Sequence, residues 1–276
     1  MTIQSCAKVA GAVVTLVAIV LAGMSIKAPR AHADDDDTDA RIRIGFKIAP
    51  VPLNLTGRDR DMVGLGSYLV NAAGDCNGCH TSGGPPNFNY APGGNPYFGQ
   101  KVVVDPTVYL SGGQNFGPVG TPTGPNGYAG PNMITRNLTP DKNGKPEGGH
   151  TRSEFRRIMR HGKDFDHIHP TCTAEQLAAI EGGATPVCIP TSPDNPVDGN
   201  LLQIMPWPTF SHLSDRDIDA IYEYLSAIPC IDNTTSQPPD GGPDELRNDC
   251  GTSGAAVDGA VNNFRVQQAP RAKRFR

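Results

Sequence analysis

The residues best able to do chemistry are Cys76-Asn77-Gly78-Cys79-His80. Two thiols one helical turn apart, followed directly by an imidazole, have the C-x-x-C-H spacing with which a chain bonds both vinyl groups of one haem and offers its iron a proximal histidine. On this reading Cys76 and Cys79 carry a single covalent haem c, and His80 supplies one axial bond. Two other chemistries use a C-x-x-C pair. A structural zinc site needs a second pair of ligands at comparable spacing, and none follows in the sequence. A thioredoxin-like redox pair follows a buried strand and opens a long helix, whereas Gly66 to Gly74 reads as a short helix ending at Gly74.

The second axial position decides what such a haem does. A thioether opposite histidine stabilises ferrous iron, a second histidine gives a different poise, and an open position admits a ligand. Met205 is the leading candidate: it follows Leu201, Leu202 and Ile204, and Pro206 keeps it out of helical geometry. Met159 reads as core filling beside Phe155 and Ile158, while Met133 is undecided. The competing ligands are His150, His161, His167, His169 and His212. An open or labile site would make the protein a haem enzyme or sensor. Trp207, the only tryptophan, is expected to pack on the haem with its indole hydrogen-bonded.

The positioning elements lie between two distinctive ends. Lys8 precedes an apolar run from Val9 to Met24, and Ala31-His32-Ala33 suits a signal peptidase, so residues 1–33 are expected to be a cleaved leader. The alternative is an uncleaved anchor. Removing Lys8, Lys27 and Arg30 with the leader moves the formal charge from −4 to −7. An acidic mature chain disfavours nucleic acid, whose phosphates need a basic face. Residues 34–60 read as an extended solvated arm, and the end, finishing Arg271, Lys273, Arg274 and Arg276, as a basic tail.

With Cys6 removed and two cysteines assigned to haem, Cys172, Cys188, Cys230 and Cys250 remain. An even remainder in an exported, periplasmic chain suggests two disulfides. Local pairing of Cys172 with Cys188 and Cys230 with Cys250 is favoured, since each closes a Pro/Gly/Asp-rich loop; crossed pairs or free thiols are the alternatives.

Three helices are legible. The first runs from about Asp61 to Ala73, with Gly66 as a bare spot where another helix can approach. The second has Thr151 as N-cap, Glu154 three residues on and Gly162 after its last turn. The third starts at Ser214, repeats Ile218, Ile221, Tyr222 and Leu225, and stops before Pro229. Between the first two lies a Gly/Pro-rich stretch, 83–149, too long for an ordinary connection, in which Lys101 to Leu110 alone has strand character.

These pieces together resemble a monohaem, class I-like c-type cytochrome of the bacterial periplasmic type that serves dehydrogenases. The resemblance rests on Gly66-Ser67-Tyr68-Leu69 before the haem motif, then Tyr109-Leu110-Ser111-Gly112-Gly113 and Phe116. It continues through Asn137-Leu138-Thr139-Pro140-Asp141, the helix 151–162, Met205-Pro206-Trp207-Pro208-Thr209-Phe210 and the last helix. It implies a mainly α fold, cytochrome c-like helices around one covalent haem with long Gly/Pro-rich insertions, the first and last helices crossing. The domain would span 61–229, and 230–276 would be a disulfide-linked extension and basic tail. It also implies single-electron transfer with a redox partner, a periplasmic dehydrogenase, a quinone-linked complex or a terminal oxidase, with the chain either a free carrier or the haem subunit of a membrane-associated dehydrogenase complex. Arg136 and Asn137 would lie near the haem, Arg136 on a propionate. The lengthened 114–132 segment, the 172–200 loop and residues 230–276 depart from the pattern.

Overall fold

The computed structural model describes residues 33–81, 89–118, 124–163, 165, 171–184, 188–193, 196–232 and 248–251. The expected leader, apart from Ala33, lies outside them, as do His167, His169 and the basic tail. The chain divides into two units, residues 1–39 and 40–276. Of the first, the described residues are the opening turns of helix α1 (Ala33–Ile48), where Asp36 and Asp37 suit the positive end of the helix dipole.

In the second unit, the residues from Ala40 on were expected to be an extended arm, and the structure corrects this. They complete α1, whose Ile42 is buried with Leu65 and Ala220. The signal is faint in sequence because the helical period rests on Ile42 and Phe46 alone. Helix α2 (Arg60–Tyr68) starts at Asp59, whose carboxylate accepts from the Asp61 and Met62 amides, and runs into a π-helical turn, Leu69–Ala73. The short helix α3 (Cys76–Cys79) follows. Helix α4 (Arg152–His161) carries the expected Thr151/Glu154 capping box and ends at Gly162 in the left-handed region. Helix α5 (Ala174–Glu181) sits inside one disulfide loop, α6 (Trp207–Phe210) follows Met205, and α7 (Asp215–Ala227) closes the core.

Gly66 does what its lack of a side chain allows. A Cβ there would overlap the Ala220 carbonyl oxygen, so α2 and α7 cross backbone to backbone. On another face of α2, a Cβ on Gly64 would meet Phe46 and Ile42 of α1. The main core gathers Val63, Val70, Tyr109, Leu110, Phe155, Met159, Ile218, Tyr224 and Leu225. Met159 is therefore core filling, as its spacing suggests.

The expectation of a mainly α fold with helices wrapped around a haem is not met. The described residues mix seven α-helices, two of them of a single turn, with an antiparallel sheet of β1 (Asn115–Pro118) and β2 (Asn132–Ile134) and much irregular chain. The cause is the Gly/Pro-rich stretch, which builds structure of its own: residues at positive φ, among them Gly93, Gly99, Gly112, Gly113 and Gly130, turn the chain too often for helix. The strand signal at 101–110 is also corrected. The extended run is short: Val103 and Asp105 bond backbone to backbone with Ala91, Gly94 and Asn89 around an isolated Val104–Tyr90 bridge, and a turn at Thr107 capped by Asp105 ends it.

Both local disulfides are present, Cys172–Cys188 with Cα atoms 4.9 Å apart and Cys230–Cys250 at 5.8 Å. They are compatible with an exported protein. No helix among the described residues is long and apolar enough to cross a membrane.

Candidate functional site

The Cys-x-x-Cys-His segment is held by the chain around it. The π-helical turn Leu69–Ala73 delivers the chain to Asp75, a non-glycine residue at φ 43°, from which α3 starts sharply. Asn77, in α3, accepts the Leu110 amide through Oδ1 at 2.9 Å, and Leu110, fully buried, is itself at φ 58°. The Leu110 carbonyl in turn accepts from the Leu138 amide at 2.9 Å. Gly112 donates to the His80 carbonyl at 2.9 Å. Two distant loops, 109–113 and 136–139, thus frame one short helix.

Cys76 and Cys79 are not in a disulfide; Cys76 is half-buried and Cys79 exposed. Burial, and then the Asp75 carboxylate, push the Cys76 thiol up to about 12 and raise that of Cys79 as well. A thiol–disulfide catalyst needs the opposite, a depressed pKa that keeps a thiolate ready. His80 is lowered below its ordinary value, chiefly by burial, so its imidazole is neutral near pH 7. Its Nδ1 lies 2.9 Å from the Arg136 carbonyl oxygen. A carbonyl only accepts, so Nδ1 carries the proton and the Nε2 lone pair is left for a metal, the arrangement that orients ligating histidines.

Arg136 therefore contributes its backbone. Its buried guanidinium lies with Nη1 3.4 Å from His150 Nε2. Asn137 is engaged elsewhere: Oδ1 accepts from the Thr139 amide and hydroxyl, and Nδ2 donates to the Ile231 carbonyl at 3.0 Å. Met205 is half-buried against the same core cluster that Cys76 borders. Trp207 lies over Gly162, where a Cβ would overlap the indole, and its Nε1–H donates to the Leu202 carbonyl at 3.1 Å. Of the competing ligands, His150 is buried beside Arg136, whereas His161 and His212 are exposed and Met133 is half-buried in β2.

Sequence reading did not find a buried hydroxyl and amide network behind this site. Tyr109 donates to Asn71 Oδ1 at 2.5 Å, its hydroxyl is 2.9 Å from that of Tyr224, and Asn71 donates to Tyr224 at 3.1 Å. Burial raises both phenols above their ordinary range. The signal was an Asn at a core-facing helical position, a residue type that is buried only with partners.

Among the described residues no group of three or more His, Cys, Asp or Glu side chains is gathered to hold a metal ion. A haem asks less of the protein, because the macrocycle supplies four donors and the chain adds only axial ligands and points of attachment. Two unpaired thiols one turn apart and an imidazole with Nε2 available fit that demand. Comparison with protein families, with curated proteins and with solved structures gives no match to this chain.

Proposed function

We propose that the chain is an electron-transfer protein carrying one haem on Cys76 and Cys79, with His80 as one axial ligand and Met205 as the other, as in the periplasmic c-type cytochromes it resembles. The observation that carries the reading is the His80–Arg136 hydrogen bond beside two free thiols, which prepares a neutral imidazole with its metal-binding nitrogen available. When bound, the haem supplies reversible one-electron chemistry at its iron. The chain's own part is to hold the imidazole in one tautomer, to keep both thiols protonated until they are joined to the cofactor, and to bring a thioether to the edge of the same core. Export fits the disulfides, and the partner is a periplasmic dehydrogenase, a quinone-linked complex or a terminal oxidase.

The test is expression in a host that attaches haem to exported chains, followed by mass and absorbance of the denatured protein. One haem per chain is expected to survive denaturation, and to be lost from the Cys76→Ala, Cys79→Ala double variant. A parent chain that emerges with both thiols free and no haem absorbance overturns the proposal. Met205→Ala is expected to change the optical spectrum and the potential; a spectrum and potential equal to the parent's remove Met205 as a ligand.

A further inference from the structure

The loop that orients His80 is gripped from its far side. Thr139, fully buried, has a saturated hydroxyl: it donates to Asn137 Oδ1 at 2.7 Å and accepts from the Ile231 amide and from Asn248 Nδ2, both at 3.0 Å. Asn248 is 2% exposed, and its amide also reaches the Pro140 carbonyl at 2.8 Å. Ile231 and Asn248 belong to separate stretches of chain that the Cys230–Cys250 bridge ties together. Three residues before Thr139 stands the Arg136 carbonyl that accepts from His80. The segment 136–140 is thus fixed on one side by the histidine and by Leu110, and on the other by the cystine-linked extension.

We propose that Asn248 is a positioning residue for His80: through Thr139 and Pro140 the stapled extension sets where the Arg136 carbonyl sits, and so how strongly it draws on the Nδ1 proton. This rests on the haem reading above. A strong hydrogen bond at Nδ1 makes the imidazole a better donor and favours ferric iron; loosening it does the reverse.

The experiment compares haem-loaded parent, Asn248→Ala and Thr139→Val, the last keeping side-chain volume should the first not accumulate. Lys142→Ala is the control, because it removes the exposed Lys142–Asp249 pair of the same extension, at 2.7 Å, without touching Thr139. The readouts are the reduction potential and the His80 Nδ1 proton resonance. Expected is a higher potential and a shifted resonance in Asn248→Ala and Thr139→Val, and no change in Lys142→Ala. Values equal to the parent's in the first two variants, or an equal shift in all three, overturn the proposal. Absence of haem from the parent overturns instead the reading beneath it.

Discussion

Tyr109 places a phenol where hydrocarbon would pack without penalty, and the hydroxyl is retained because Asn71 and Tyr224 both bond to it. Taking away one member of a buried network leaves the others desolvated and short of a partner. Tyr109→Phe is expected to lower stability by about 1–2 kcal/mol, read as a lower denaturant midpoint at unchanged slope; an unchanged midpoint would show that the network contributes nothing net. At this scale the sequence is legible where identity carries the chemistry: two thiols and an imidazole at fixed spacing announce themselves, as does the Thr151 cap. It is silent where the backbone acts. The Arg136 carbonyl would orient His80 equally well under another side chain, so its contribution leaves no mark in the residue letter, and attention to the guanidinium pointed to a different role.

Helices α4 and α7 are laced together by charges four residues apart on each. Arg152 pairs with Glu223, Arg156 with Asp219, and Arg160 with Asp215 at 2.7 Å, an antiparallel ladder. Arg58 joins it at Glu223, 3.5 Å away. The Arg156 guanidinium holds the Asp219 carboxyl below its ordinary range. A lowered folded pKa means that the pair stabilises the fold fully above the ordinary carboxylate value of about 4 and loses that contribution as pH falls through the lowered value. Asp219→Asn is therefore expected to be less stable than the parent at pH 6, with the gap closing below pH 4; denaturant midpoints across that range check it, and a gap constant with pH would remove Asp219 as its source. Each half of the ladder can be seen in sequence as a period of four, but the pairing is tertiary. The same divide explains α1 and the 83–149 stretch. Strong amphipathic period made α4 and α7 legible, whereas a helix with two inward residues and a segment ruled by glycine φ angles are settled by what packs against them.

At the scale of the molecule, two irregular segments beside the helical core are closed covalently. The Cys172–Cys188 loop encloses α5 and is tied on by Tyr128, whose hydroxyl donates to the Cys188 carbonyl at 3.1 Å, and by Asn126, which donates to the Ile180 carbonyl at 2.9 Å. Closing a loop of that size restricts the unfolded chain, so Cys172→Ser, Cys188→Ser is expected to cost about 3 kcal/mol, measured by thermal melting with far-ultraviolet circular dichroism retained before the transition. A melting temperature equal to the parent's would show that the loop is fixed by its hydrogen bonds alone. That cysteines pair locally was legible from their spacing.

The crossing at Gly66 joins elements far apart in the chain. Asn71 and Tyr224, which meet beside that crossing, are 153 residues apart in the chain, so the core closes only after α7 has been synthesised and has found α2. Contacts of such range make folding slow. The loops that frame Cys76 to His80 lie much nearer in the chain, Leu110 being 33 residues from Asn77 and Arg136 56 from His80, so their contacts do not wait for α7.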